Sequence, residues 1–193
     1  MATYKGLPIF WMDIENEDEG VEIISLVDRP AIERNFIKFN TEEVKFSVDE
    51  EKHVVFGPAL LPNKPIYRID EETGYEYYVK FSKEAIERIA IKFFEDHNST
   101  NVNLQHELDV NGCVYYESFI KDSERGISPA GFEDIEDGAW FVACKINNEG
   151  TWDLIKKGEL RGFSIEGYLH LEKEKQEEKP LDTIQDLLEY LKR

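Results

Sequence analysis

Strict alternation over residues 163–171 is the feature that most constrains this chain. Phe163, Ile165, Gly167, Leu169 and Leu171 fall on one side, and Ser164, Glu166, Tyr168 and His170 on the other. That is the period of two of a half-buried strand, so Ser164 is predicted to sit on a strand and not at a turn into a helix. Gly162 and Gly167 flank it; a missing Cβ there leaves room for another backbone, such as a bound peptide, to approach closely. An ordinary amphipathic strand with a polar face gives the same pattern, so alternation alone assigns no chemistry to Ser164.

Other short apolar runs surround this one. Residues 53–61 read as a buried strand bent at Gly57-Pro58, and 66–69 with 75–81 as a hairpin; 102–108 and 113–121 read as two further strands. Residues 139–146, AWFVACKI, are apolar enough to be buried on both faces. Ser82 is a good helix N-cap, followed over 84–96 by the helical stripe Ile86, Ile89, Ala90, Phe93 and Phe94. Thr151 is predicted to cap a short helix that stops near Gly158. Several short strands with one substantial helix indicate an α+β fold around a mainly antiparallel sheet, with closure into a barrel as one outcome.

Three segments are expected. Residues 1–50 form an N-terminal extension, set off by the charged stretch 41–52. Residues 51–172 form the main domain, and 173–193 a charged linker with a terminal helix. The stripe Ile184, Leu187, Leu188 and Leu191 on that helix needs a partner: scaffold, a second copy of the chain, or the domain itself.

Composition excludes some functions. Forty-one acidic residues against 23 basic ones give a formal charge of −18, which repels nucleic acid and anionic membranes as direct partners. Cys113 and Cys144 have no CxxC spacing and read as buried thiols, with no zinc ribbon and no disulfide framework. The apolar patch near residue 7 is too short for a signal peptide or a membrane span, which places the protein in the cytoplasm. Nothing in the pattern calls for a cofactor or a metal; a metal-dependent hydrolase would need histidines at ligand spacing, which are missing.

Chemistry concentrates on few residues. His106 falls among Asn103, Gln105, Glu107 and Asp109, a polar cluster with no packing purpose, whereas His53, His97 and His170 have ordinary structural explanations. A serine nucleophile needs a base within hydrogen-bond reach, and that base needs a third group to hold its tautomer. Glu117 lies in the apolar run 114–120, where an unpaired carboxylate is costly, and so is the first candidate for the orienting acid. Glu166 is its rival, about 7 Å from Ser164 along the same strand face.

The segments VDRPAIERNF, KHVVFGPALLPNKPIYR, NVNLQHE, YYESFIK and WDLIKKGELRGFSIEGY together resemble the serine proteases of tailed phages and prophages, among the prohead (capsid maturation) proteases. The resemblance covers roughly residues 20–172, with His106 and Ser164 in its most specific pieces. That family is similar in fold to the herpesvirus assemblins. It therefore implies an antiparallel β-barrel of about six or seven strands with surrounding helices, Ser164 as nucleophile and His106 as base. The third member is not fixed by a motif, and Glu117 stands in that place. The resemblance further implies an endopeptidase in the host cytoplasm, inside the immature head. It would cleave the phage scaffold and major capsid proteins and itself, with an oxyanion site near the turn of Leu160, Arg161 and Gly162. A structural virion protein that kept the fold without the activity is the alternative.

Overall fold

A run such as Trp140–Ile146, with almost every side chain apolar, is stable only with neighbours on both sides and cover on both faces. The computed structural model, which describes residues 2–28, 45–70 and 73–173, supplies both. In chain order the elements are β1 (Thr3–Tyr4), β2 (Leu7–Asp13), β3 (Gly20–Val27), β4 (Ser47–Asp49), β5 (Val54–Leu60), β6 (Ile66–Ile69) and β7 (Glu76–Phe81), followed by helix α1 (Lys83–Glu95). A single 3-10 turn leads to β8 (Val102–Leu104), β9 (Leu108–Asp109), β10 (Cys113–Ile120), β11 (Trp140–Ile146), helix α2 (Glu149–Lys156), β12 (Gly162–Tyr168) and β13 (His170–Lys173).

The strands form three sheets. One runs β1-β2-β7-β6 with β13 also on β2, the second β10-β11-β5-β4, and the third β12-β3-β8-β9. The fold is α+β as expected, but the expected barrel is not supported: among the described residues none of the three sheets closes on itself. Closure needs a ladder from the last strand back to the first. Here each sheet ends in edge strands, and the apolar faces bury against one another and against α1 instead. Ile24, Leu26, Phe81, Val142, Trp140 and Ile165 from the three sheets meet Ile86, Ile89 and Phe93 of α1 in one core cluster. Each fully buried aliphatic or aromatic side chain of this kind contributes about 1.5–3 kcal/mol. Two pairings, β2 with β7 and β3 with β8, are parallel, joining segments far apart in sequence.

α1 forms where the stripe predicts it. Ser82 Oγ accepts from the Ala85 N–H at 3.0 Å, and Ala85, Ile86, Ile89, Ala90 and Phe93 are the buried face. The cap of α2 is Asn148 and not Thr151: the Asn148 side chain accepts from the Thr151 N–H at 2.9 Å.

Strands from before residue 50 pair with strands after it: β3 is an inner strand of the third sheet, between β12 and β8, and β2 bonds β7 and β13 as well as β1. At the other end β13 returns to pair with β2, His170 opposite Asp13. The expected linker and terminal helix from residue 174 onward lie outside the described residues. Among the described residues, no helix is long and apolar enough to cross a membrane.

Candidate active site

The site is assembled on the third sheet. In the antiparallel pair β12–β3, Ser164 stands opposite Ser25, and in the parallel pair β3–β8, Ser25 stands opposite Asn103. Residues directly opposite one another project from the same face, so Ser164, Ser25 and Asn103 make a row across three strands. Glu166, two residues along β12, joins that face. The opposite face carries Phe163, Ile165, Ile24, Leu26, Val102 and Leu104 into the core.

Burial of the polar face is as complete as that of the apolar one. Ser25 is 0% exposed, Ser164 1%, Asn103 4% and Glu166 4%. At Ser164 and Glu166 the polar face of β12 is therefore not solvated as the alternation predicts; only Tyr168, 68% exposed, meets that expectation. Nor does Gly167 leave space for a peptide: a Cβ there would lie 1.9 Å from the Gly20 carbonyl oxygen, so the close neighbour is the chain's own strand β3.

His106 reaches this face through a strained turn. The expected strand over 102–108 stops at Leu104, and the Glu107 N–H donates to the Leu104 carbonyl at 3.0 Å. Gln105 and His106 between them have φ of +55° and +64°. Two successive positive φ values are the signature of a type I′ turn, usually filled by Asn or Gly; for other residues the left-handed region costs about 1–2 kcal/mol each. Two bonds to the end of β3 hold the turn: the Gln105 N–H donates to the Leu26 carbonyl at 3.0 Å, and Gln105 Oε1 accepts from the Asp28 N–H at 3.2 Å.

The turn delivers the imidazole to Glu166. His106 Nδ1 lies 2.6 Å from Glu166 Oε1, with both side chains at most 5% exposed. The same oxygen accepts from Ser25 Oγ at 2.6 Å and from Asn103 Nδ2 at 2.7 Å. Ser25 Oγ is in turn 3.1 Å from His106 Nδ1. Burial by itself pushes the Glu166 carboxyl upward, but the hydrogen bonds from His106, Ser25 and Asn103, with attraction to His106, outweigh it and hold the group below its ordinary 4.5. An ionised carboxylate at 2.6 Å accepts and cannot donate, so Nδ1 carries a proton and Nε2 is the nitrogen left to act as base.

Three atoms at the site are unsatisfied. His106 Nε2, Ser164 Oγ and Asn103 Oδ1 are all buried without a hydrogen-bond partner among the described residues, so Nε2 and the Ser164 hydroxyl are not bonded to each other. A buried orphan polar atom costs about 1–3 kcal/mol, and orphans concentrate where chemistry is done. Nucleophile-to-base contacts are commonly loose before substrate binds.

Glu117 is not part of this arrangement. A bulge in β10 between Tyr115 and Glu117 shifts the register, so Glu117 faces solvent opposite Ala143, on a different sheet from His106. The acid embedded in the apolar run is therefore exposed, and the acid that meets the imidazole is the rival, Glu166. Ser25 was not among the sequence candidates, although a serine inside the apolar run IISLV is itself a signal. The expected oxyanion turn is partly occupied, because the Arg161 N–H donates to the Val27 carbonyl at 2.7 Å. The other histidines lie elsewhere: His53 stacks on Trp152 at 4.3 Å, and His170 faces Glu15 at 3.5 Å. Among the described residues no group of three or more His, Cys, Asp or Glu is placed to hold a metal.

Comparison with known proteins places the chain in a family. Residues 43–172 match the family described as "Putative phage serine protease XkdF". "Uncharacterized protein YqbD" of Bacillus subtilis (strain 168) is 28% identical over 157 residues, 75% of this chain and 43% of that protein. The "Phage-like element PBSX protein XkdF" of the same organism is 25% identical over 170 residues, 82% of this chain and 56% of that protein. The chain thus spans about half the length of the curated relatives it matches. No solved structure matches it. The family match contains Asn103, His106, Ser164 and Glu166 but begins after Ser25.

Proposed function

Because the chain belongs to the phage serine protease family that residues 43–172 match, we propose that it is a serine endopeptidase whose nucleophile, base and orienting acid are Ser164, His106 and Glu166. One observation carries the assignment. A buried imidazole has Nδ1 bonded to a buried carboxylate and leaves Nε2 open, on the sheet face that presents the unpartnered Ser164 hydroxyl.

The chemistry follows from that arrangement. His106 Nε2 takes the Ser164 proton as Oγ bonds to the scissile carbonyl carbon, and Glu166 compensates the charge of the resulting imidazolium. The same Nε2–H is then given to the departing amine, leaving an acyl-serine. Water, deprotonated by His106, releases the acyl group. Ser25 is excluded as nucleophile because its hydroxyl hydrogen is committed to Glu166 and it lies on the Nδ1 side of the ring.

The substrates we propose are the phage scaffold and major capsid proteins within the immature head, and the chain itself. The test is co-expression with the scaffold and capsid proteins of its own phage, read by intact mass for wild type, Ser164→Ala and His106→Ala. Cleavage by wild type that both substitutions abolish is the expected result. A folded wild type that cleaves none of these proteins would favour a structural role in the head, a reading favoured by the near-complete burial of Ser164.

A further inference from the structure

We propose that Ser25, on a strand outside the matched segment, is a positioning residue that locks the His106 imidazole and the Glu166 carboxylate to one another. The role in turnover rests on the peptidase reading above; the positioning itself does not.

Ser25 is 0% exposed, in the middle of β3, with β12 bonded on one side and β8 on the other. Its Oγ touches both partners of the His–Glu pair, donating to Glu166 Oε1 at 2.6 Å while lying 3.1 Å from His106 Nδ1. A hydroxyl has one hydrogen and two lone pairs. With its hydrogen on Glu166, its oxygen can only accept, so the single Nδ1–H is shared between Glu166 Oε1 at 2.6 Å and Ser25 Oγ at 3.1 Å and the three groups close a triangle. Reversing any one bond, for example by moving the ring proton to Nε2, leaves Nδ1 and a carboxylate oxygen as two acceptors 2.6 Å apart.

Asn103 supports the carboxylate from the other side, at 2.7 Å, but does not touch the ring. Among the described residues Ser25 alone bonds both groups, which is what an orienting hydroxyl must do. The backbone makes its placement rigid. The strained Gln105–His106 turn is anchored to the Leu26 carbonyl, the residue after Ser25, so the imidazole and the hydroxyl are fixed to the same strand. The family match begins at residue 43, and the strand that completes the site comes from before it.

The experiment uses the full chain labelled with nitrogen-15 at histidine, comparing wild type with Ser25→Ala, Ser25→Cys and Ser25→Thr. The Nδ1 and Nε2 shifts of His106 report the tautomer directly, whatever the protein's activity. Wild type should show the Nδ1–H form alone, Ala and Cys a mixture of both tautomers, and Thr, which keeps the hydroxyl, the wild-type pattern. In parallel, labelling by a fluorophosphonate probe should slow by about tenfold to a hundredfold in Ala and Cys, the scale of a lost hydrogen bond to a charged group, and recover in Thr. Cys keeps the volume of the site if Ala does not fold. A wild-type tautomer pattern in both Ala and Cys would overturn the proposal. A shifted tautomer in a protein whose wild type never labels would keep Ser25 as a positioning residue and remove the peptidase reading.

Discussion

β11 and the Phe163–Glu166 stretch of β12 are both buried, and they use burial for opposite purposes. On β11, Trp140, Phe141, Val142, Ala143 and Cys144 are all 0–1% exposed, and both faces are apolar. On β12, Phe163 and Ile165 fill the core while Ser164 and Glu166, as deeply buried, carry a hydroxyl and a carboxylate. Packing alone explains β11. A buried carboxylate, by contrast, is tolerated only where donors satisfy it, and the three donors on Glu166 Oε1 come from three separate strands and turns.

A second buried charge sharpens the contrast. Lys121, 3% exposed, directs its ammonium at the backbone carbonyls of Phe132, Glu133 and Ile135. It is fully committed and ties a loop to the body of the protein, which is a structural role. His106 and Ser164 each keep one polar atom uncommitted. Burial with complete satisfaction marks a strut, whereas a buried imidazole nitrogen and a buried hydroxyl left without partners are what the proposed peptidase reading rests on.

The largest effect expected from breaking this contrast is chemical. Ser164→Ala should lower cleavage on the order of 10⁶-fold, as loss of a nucleophile does. Thermal unfolding should show no loss of stability in the same variant, because the substitution removes an unsatisfied buried oxygen. A drop of several degrees in Tm would mean that Ser164 is held by bonds this account lacks.

Next comes the apolar strand. Trp140→Ala should cost about 3–5 kcal/mol by urea unfolding, since the indole is 0% exposed and the cavity cannot fully collapse. A change below about 1 kcal/mol would show that β11 is not the packed centre of the fold.

Glu166→Ala should cost about 2–4 kcal/mol, because His106, Ser25 and Asn103 all lose their acceptor in a buried place. The pH dependence has a definite sign. Glu166 titrates lower in the folded chain than its ordinary 4.5, so its contribution is fully present above that value and is lost as pH falls through the lower folded value. Urea midpoints measured between about pH 6 and pH 3 should fall for wild type and fall less for Glu166→Gln. Parallel slopes in the two proteins would mean that Glu166 is not held ionised by this network.

The smallest expected effect is the most discriminating between the two acids. Glu117→Ala, at an exposed position opposite Ala143, should change stability by no more than about 0.5 kcal/mol and leave cleavage unchanged. Loss of cleavage there would move the orienting role back to Glu117.

The same pair of acids shows what the sequence could reveal. Alternation placed Ser164 and Glu166 on one strand face, and a polar cluster singled out His106; both depend on local pattern, which the chain carries openly. Choosing Glu117 over Glu166 rests on its place in the apolar run 114–120, where an unpaired carboxylate is costly. One bulged residue at Tyr115–Glu117 reverses the facing of everything after it. The left-handed turn at Gln105 and His106 has neither Gly nor Asn to announce it, so the strand was expected to run on. Ser25 and its parallel pairing to Asn103 depend on a contact 78 residues apart in sequence (103 − 25), which no local periodicity encodes. The barrel came with the family resemblance; three sheets around α1 bury the same apolar faces without closing.

The central claim is that Ser164 is a nucleophile activated by His106 and Glu166. Its most direct test is to treat the full chain with a fluorophosphonate probe at neutral pH and map the adduct by peptide mass. A single adduct on Ser164, absent in His106→Ala and slowed in Glu166→Gln, is the predicted result. An adduct on Ser25, or none on a folded protein, would contradict it.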